Sequence, residues 1–347
     1  MKWLSDRALE RLREVADAPD LSGTRYRLVE RLGRGGMGTV YLAEDTALGR
    51  RLALKVLHEP DAPAGLAARL LREARILARL EHPGIVPVHD VGTLADGRAF
   101  YTMKYVQGAR LDRHIQAVTA LPDRLRIFQK ICEAAAFAHA HGVLHRDLKP
   151  ENVMVGPFGE VLVMDWGVAK ILKAHRGTPS RSQAPDPTQA PPAAAPGEAY
   201  EASSALAALP AETEHGAVLG TPGYMAPEQA RGETQNLDQT ADVFALGAIL
   251  RFLLTGSAPD ESGGRKVPRA LGAICAKAMA QEPAGRYVTA QELSADVARY
   301  LDGEPVEAYP ENLFRKAGRL MSRHRVAILL VTAYLVMRVL LLYFMGR

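Results

Sequence analysis

Hydrophobic and polar positions change period several times along the chain, and each change marks an expected element. In residues 1–24, Leu4, Leu9, Leu12 and Val15 recur at helical spacing ahead of a Pro/Gly/Ser turn, which predicts a short amphipathic helix. From Tyr26 to about Val56 the pattern shifts to short runs of Val, Leu and Tyr broken by glycine-containing turns, the signature of strands and hairpins. Leu66, Leu70, Ile76, Leu77 and Leu80, set among Arg and Glu, predict a helix over 64–81. Two further strands are expected around 86–92 and 99–106. Beyond Leu111 the period is mainly helical, with short strands expected at Asn152–Val155 and Glu160–Met164. The pattern therefore predicts an α+β architecture in which a small β-rich lobe precedes a larger α-rich lobe.

Two stretches break with this pattern. Residues 174–216 are dominated by Ala, Pro, Ser, Thr, Gln and Glu, with almost no large apolar side chain before Leu206. Such a stretch buries too little surface to offset its chain entropy and is expected to be mobile. Residues 326–345 are nearly uncharged and rich in Leu and Val.

Composition adds limits. At 347 residues, 48% hydrophobic and 24% charged, the chain can form one large domain or two modest ones. A formal charge of +4 is too small and too evenly spread to argue for nucleic acid. Cys132 and Cys275 both fall in Ala-rich helical stretches and read as core residues, not a disulfide, which suits a reducing compartment. The first fourteen residues scatter charges and lack the apolar run of a signal peptide, so the bulk of the chain is expected to stay in the cytoplasm.

Gly33-Arg34-Gly35-Gly36-Met37-Gly38-Thr39-Val40 fits GxGxxGxV. Alone the pattern is weak, because dinucleotide-binding folds share it, but there the glycines open a helix. Here they run into Thr39–Ala43 and then Arg51–Leu57, two expected strands, so they fit a loop whose backbone N–H groups cover a triphosphate; an ordinary glycine-rich hairpin is the alternative. Ala53-Leu54-Lys55 lies on the second of those strands, and Glu73 on the 64–81 helix is the leading partner for Lys55, ahead of Glu81 at the helix end. His139, His141 and His145 do not share one helical face, which argues against a metal site.

His145-Arg146-Asp147-Leu148-Lys149-Pro150-Glu151-Asn152 is the most specific stretch. With the glycine loop, Asp165-Trp166-Gly167 and Gly220-Thr221-Pro222-Gly223-Tyr224-Met225-Ala226-Pro227-Glu228 in order, the chain from about Tyr26 to Leu301 resembles the protein kinase superfamily, specifically the bacterial serine/threonine kinases of eukaryotic type. The resemblance implies the two-lobed kinase fold over residues 25–302, with 174–216 inserted in the activation segment. It implies ATP with two Mg²⁺ ions, Mn²⁺ being an alternative. Asp147 would orient the substrate hydroxyl and accept its proton, Lys149 would contact the γ-phosphate, and Thr221 would bridge the two. Lys55 and Glu73 would hold the α- and β-phosphates, and Asn152 and Asp165 the metal. Gly33, Gly35, Gly36 and Gly38 would cover the phosphates, with Leu32, Val40, Ala53, Met103, Tyr105 and Met154 around adenine and Met103 as gatekeeper.

The same resemblance makes His145, Asp242 and a Glu228–Arg286 pair structural. Trp166 stands where the family usually has Phe; it is bulkier and brings an N–H that needs a partner when buried. Arg146 would receive a phosphate from the activation segment, with Thr178, Ser180, Ser182, Thr188, Ser203, Ser204 and Thr213 as acceptors and an unregulated spacer as the alternative. Protein substrates with Ser or Thr acceptors, and autophosphorylation, follow from the resemblance. A pseudokinase acting as an ATP-binding scaffold is the rival reading, and it predicts loss of Lys55, Asp147, Asn152 or Asp165, none of which is missing. A small-molecule phosphotransferase would not need Gly220–Glu228.

As a helix, residues 326–345 would span ~30 Å, enough for a hydrocarbon core. Arg338 near its middle costs roughly 2.5–3.5 kcal/mol, against roughly 4–7 kcal/mol returned by twelve Leu, Ile, Val and Phe side chains. Arg315, Lys316, Arg319, Arg323 and Arg325 give the 303–325 flank a positive-inside pattern. The expectation is a single transmembrane helix in the cell inner membrane with the kinase domain cytoplasmic and no sensor domain beyond it. An apolar helix docked on another protein is the alternative.

Overall fold

The computed structural model describes residues 18–35, 38–58, 64–167, 169–171, 221–233, 237–257, 267–309, 330 and 332–338. The expected helix within 1–24, Gly36, Gly220, the 174–216 insertion, the basic residues of the 303–325 flank and most of 326–345 lie outside the described residues.

The amino-terminal lobe is built on a five-stranded antiparallel sheet: β1 (Tyr26–Arg34), β2 (Gly38–Asp45), β3 (Arg50–Leu57), β4 (Val88–Thr93) and β5 (Ala99–Lys104), in the order β1-β2-β3-β5-β4. Alternation along β3 sends Ala53 and Leu57 into the main core, and Leu52, Leu54 and Val56 into a second cluster with Tyr41 and Phe100 on the other face. Helix α1 (Ala64–Leu77) packs Leu70, Ala74 and Leu77 into the main core. It ends four residues before the expected Glu81. Arg79 and Leu80 turn their N–H groups to the carbonyls three residues back, and His82-Pro83 cannot continue a helix.

Strand β5 stops at Lys104, two residues before the expected end, because the chain leaves the sheet there to cross between lobes. Gly108 in that crossing has no room for a side chain: a Cβ would lie 2.2 Å from the Val155 carbonyl oxygen. Past β6 (Ala109–Arg110) and α2 (Leu111–His114), the second lobe forms around α3 (Leu121–Ala140), whose Leu125, Phe128, Ile131, Cys132 and Ala135 are buried. Short strands β7 (Val143–Leu144), β8 (Val153–Val155), β9 (Val161–Val163) and β10 (Lys170–Ile171) follow, paired as β10-β7 and β6-β8-β9. They hold the loops that carry the candidate site residues: 145–152 between β7 and β8, and 164–167 after β9.

Below these loops lie α4 (Pro227–Ala230), α5 (Gln239–Thr255), α6 (Arg269–Ala278) and α7 (Ala290–Leu301). Cys132 and Cys275 are both buried and unpaired by disulfide, as expected of core residues, and burial pushes the Cys275 thiol up to about 12. The packed chain runs on past α7. Buried Asp296 accepts backbone N–H bonds from Glu307 (2.6 Å) and Ala308 (3.0 Å), and Val306 is buried alongside. No helix among the described residues is long and apolar enough to cross a membrane.

Candidate active site

Strand β3 and helix α1 meet at Lys55. Its Nζ donates to Glu73 Oε1 and Oε2 at 2.8 and 2.9 Å, and Asp165 Oδ1 lies 3.6 Å away. Burial pushes the Lys55 ammonium down, but the two carboxylates outweigh it and hold its pKa above the ordinary value. Glu73 is 1% exposed and also accepts from the Tyr101 hydroxyl at 2.7 Å. Tyr101 was not among the expected site residues. The signal was nonetheless present, because Tyr101 pairs with Lys55 in the β3–β5 register and shares a face with Met103.

The catalytic loop closes a triangle. Lys149 Nζ donates to Asp147 Oδ2 (2.8 Å) and to Thr221 Oγ1 (2.7 Å), and Thr221 donates to Asp147 Oδ1 (3.1 Å). Thr221 thus bridges the two residues across 74 positions of sequence. Asn152 donates through Nδ2 to the Asp147 carbonyl (2.8 Å) and to Asp147 Oδ2 (3.2 Å).

What fixes this loop is a buried carboxylate beneath it. Arg146 holds a left-handed φ of 66°, a conformation a non-glycine residue keeps only when its surroundings enforce it. Asp242 on α5 accepts the N–H of His145 and of Arg146, each at 2.8 Å, while Gln229 donates to the Arg146 carbonyl at 2.9 Å. His139 Nε2 bonds the same Asp242 at 2.8 Å. Burial pushes the Asp242 carboxyl up, but the His139 hydrogen bond, the nearby histidines and the Arg146 N–H win and hold it below the usual range. A depressed folded-state pKa means this stabilisation is complete above the unfolded value of about 3.9 and lost as pH falls below it. Asp242→Asn should therefore unfold at lower temperature than the parent at pH 7, with the gap narrowing below about pH 4 in circular dichroism melts.

The histidines find structural roles. His145 donates through Nε2 to the Met164 carbonyl (2.9 Å), accepts the Asp147 N–H at Nδ1 (3.3 Å), and packs on Trp166 with ring centres 4.6 Å apart. His141 bonds the Phe137 carbonyl instead. Trp166 is 1% exposed, and its indole N–H faces the Val163 carbonyl at 3.4 Å, so the extra donor has a long partner. Asp165 has φ 59°, and its side chain is 53% exposed.

Asn152 and Asp165 fit a hard divalent cation. With Nδ2 committed to Asp147, Asn152 has a carbonyl oxygen to offer, and Asp165 presents a carboxylate open to solvent, an all-oxygen set that suits Mg²⁺ with waters completing its shell. Among the described residues no cluster of three His, Cys, Asp or Glu side chains forms a separate metal site.

Ala53 and Met103 face each other across the β3–β5 ladder inside the main core, and Val40 and Met154 pack against it. Tyr105 is half-buried just past β5. Leu32 is 42% exposed on β1 and stands apart from that cluster. Gly33, Gly35 and Gly38 sit at the β1–β2 turn, closed by Gly35 N–H to the Gly38 carbonyl at 2.9 Å. Glu228 and Arg286 pair as expected, through two bonds of 2.7 and 2.8 Å. Glu81 is exposed at the surface.

A glycine-turned sheet over a buried Lys–Glu pair, facing an Asp–Lys–Thr triangle and two oxygen donors, is the layout of the two-lobed protein kinase fold. The protein kinase domain family matches residues 26–196. Serine/threonine-protein kinase PknD of Chlamydia trachomatis is 37% identical over 320 residues, covering 81% of this chain and 32% of the relative. PknD of Protochlamydia amoebophila is 33% identical over 327 residues, covering 80% and 30%. The chain thus spans about a third of the length of these curated relatives. A crystal structure of the Mycobacterium tuberculosis PknI kinase domain superimposes with a TM-score of 0.53 at 26% identity, covering 79% of this chain and 95% of that one. Through residues 26–196 the chain belongs to the protein kinase family, and it is similar to bacterial serine/threonine kinases.

Proposed function

We propose that the protein transfers the γ-phosphoryl group of ATP to serine and threonine hydroxyls of proteins, its own included. The Asp147–Lys149–Thr221 triangle carries this reading, because phosphoryl transfer needs positioned charge more than covalent help. The substrate oxygen bonds to the γ-phosphorus as the bond to the departing ADP oxygen breaks, and the hydroxyl proton passes to Asp147. Lys149 neutralises charge on the transferred group. Lys55, held by Glu73, grips the α- and β-phosphates. Bound Mg²⁺, two ions in this reading, supplies further neutralisation of the phosphate oxygens, with Asn152 and Asp165 as its protein ligands. Val40, Ala53, Met103 and Met154 take the adenine ring, with Leu32 at the rim and Tyr105 on the connection.

Arg146 supports a regulatory extension. Burial and the neighbouring Arg72 and Arg69 all push its guanidinium pKa down, so positive charge gathers beside the catalytic loop, where a phosphate on the activation segment would dock. The test of the whole reading is label transfer from ATP with Mg²⁺, followed by phosphoamino-acid analysis and mapping of labelled peptides. Label on Ser or Thr is expected; tight nucleotide binding with no transfer would make the protein a scaffold instead.

A second reading concerns location. Leu330, Tyr334, Leu335, Val336 and Met337 are exposed on a helical segment, an arrangement suited to lipid. With the basic flank, this supports residues 326–345 as an inner-membrane anchor with the kinase domain on the cytoplasmic side. The full chain should then stay with membranes through carbonate washing, and release into the supernatant would exclude the anchor.

A further inference from the structure

The glycine-rich turn is bridged by an imidazole that plays no part in the reading above. His58 follows directly on β3, whose last residue, Leu57, pairs with Gly38 where β2 begins. Gly38 lets the backbones approach there, since a Cβ on residue 38 would lie 2.4 Å from the Val56 carbonyl oxygen. That approach brings the His58 ring alongside both limbs of the turn. Nε2 lies 2.7 Å from the carbonyl oxygen of Gly35, on the outgoing limb. Nδ1 lies 3.3 Å from Oγ1 of Thr39, on the returning limb, where Thr39 is itself buried.

A carbonyl oxygen can only accept, so Nε2 carries the proton. Nδ1 of the neutral ring then accepts from the Thr39 hydroxyl. One side chain therefore ties Gly35 to Thr39 and both to the end of the strand that carries Lys55. Glycines give a turn its freedom, and freedom lowers affinity for any ligand that needs one arrangement of the backbone. We propose that His58 is a positioning residue for nucleotide, holding the two limbs of the glycine-rich turn in register with Lys55. This inference rests on the reading of the turn as a phosphate-covering loop.

The experiment uses the full chain and a fluorescent N-methylanthraniloyl ATP with Mg²⁺, so that binding is read without reference to transfer. His58→Ala is expected to weaken binding, and to raise the KM for ATP, about tenfold, the loss of one or two hydrogen bonds, with kcat and thermal midpoint little changed. His58→Gln, which can present an amide N–H to the Gly35 carbonyl, should recover most of that loss. Unchanged nucleotide affinity in His58→Ala would overturn the proposal. So would equal damage in both variants together with a lowered melting temperature, which would make His58 a stabilising residue only. Binding that responds as expected in a protein that transfers no phosphate would leave this inference standing and remove the kinase reading instead.

Discussion

Asp147→Asn is expected to lower phosphoryl transfer by ~10²–10⁴-fold while leaving nucleotide affinity nearly unchanged. The amide keeps the size of the carboxylate but not its capacity to take a proton. It also meets a wiring conflict. Oδ2 of Asp147 accepts from both Lys149 and Asn152, two groups that can only donate, so the amide oxygen must face them. The NH₂ is then forced toward Thr221, whose hydroxyl must switch from donating to accepting. The substrate hydroxyl loses its proton acceptor and the triangle loses its charge balance. Steady-state transfer from labelled ATP, read beside binding of a fluorescent nucleotide, checks both halves. Transfer within a factor of ten of the parent would mean that Asp147 is not the proton acceptor.

Arg286→Ala should produce the largest loss of stability. The Arg286 side chain is fully buried, and all of its partners are fixed: Nε donates to Ala280 O, Nη1 to Glu228 Oε1 and Thr240 O, and Nη2 to Glu228 Oε2 and Gln281 O. Its removal strands a buried carboxylate and three carbonyls together. Breaking a buried pair from one side costs about 3–5 kcal/mol, and at roughly 2–4 °C per kcal/mol for a domain of this size the melting midpoint should fall by ~6–20 °C. Arg286→Lys should recover little, since an ammonium cannot serve five directions in one plane. A midpoint shift below about 2 °C would show the pair to be structurally idle.

The 145–152 loop was legible in the sequence because its candidate site residues lie only a few positions apart. His145 through Asn152 form one local unit, and their mutual hydrogen bonds follow from that spacing. The Lys55–Glu73 pair was legible from a lysine on an expected strand and an acid on the following helix, and Thr221 only through the resemblance; the structure brings each to its partner. What stayed hidden were partners supplied by other elements. The resemblance made Asp242 structural beneath the loop, but its bond to His139, 103 residues away, and that of Gln229 to Arg146, 83 residues away, follow from no local pattern. Tyr101 was closer to reach, since alternation along β5 puts it on the face of Met103. Strand and helix limits erred where a neighbouring element decided them. The tightening of the chain at Arg79 and Leu80 ended α1 early, and the departure toward the second lobe after Lys104 ended β5.

The Asp296 latch sets where the packed domain ends. By clamping the amides of residues 307 and 308, it carries the packed chain on from residue 302 to residue 309. Seven residues that could otherwise extend at ~3.3–3.6 Å each are held in the domain, which shortens the reach of anything attached beyond them by roughly 23–25 Å. Any surface or partner that holds the far end then sees the active site confined to a smaller volume, and substrates fixed to that same surface meet it at a higher effective concentration.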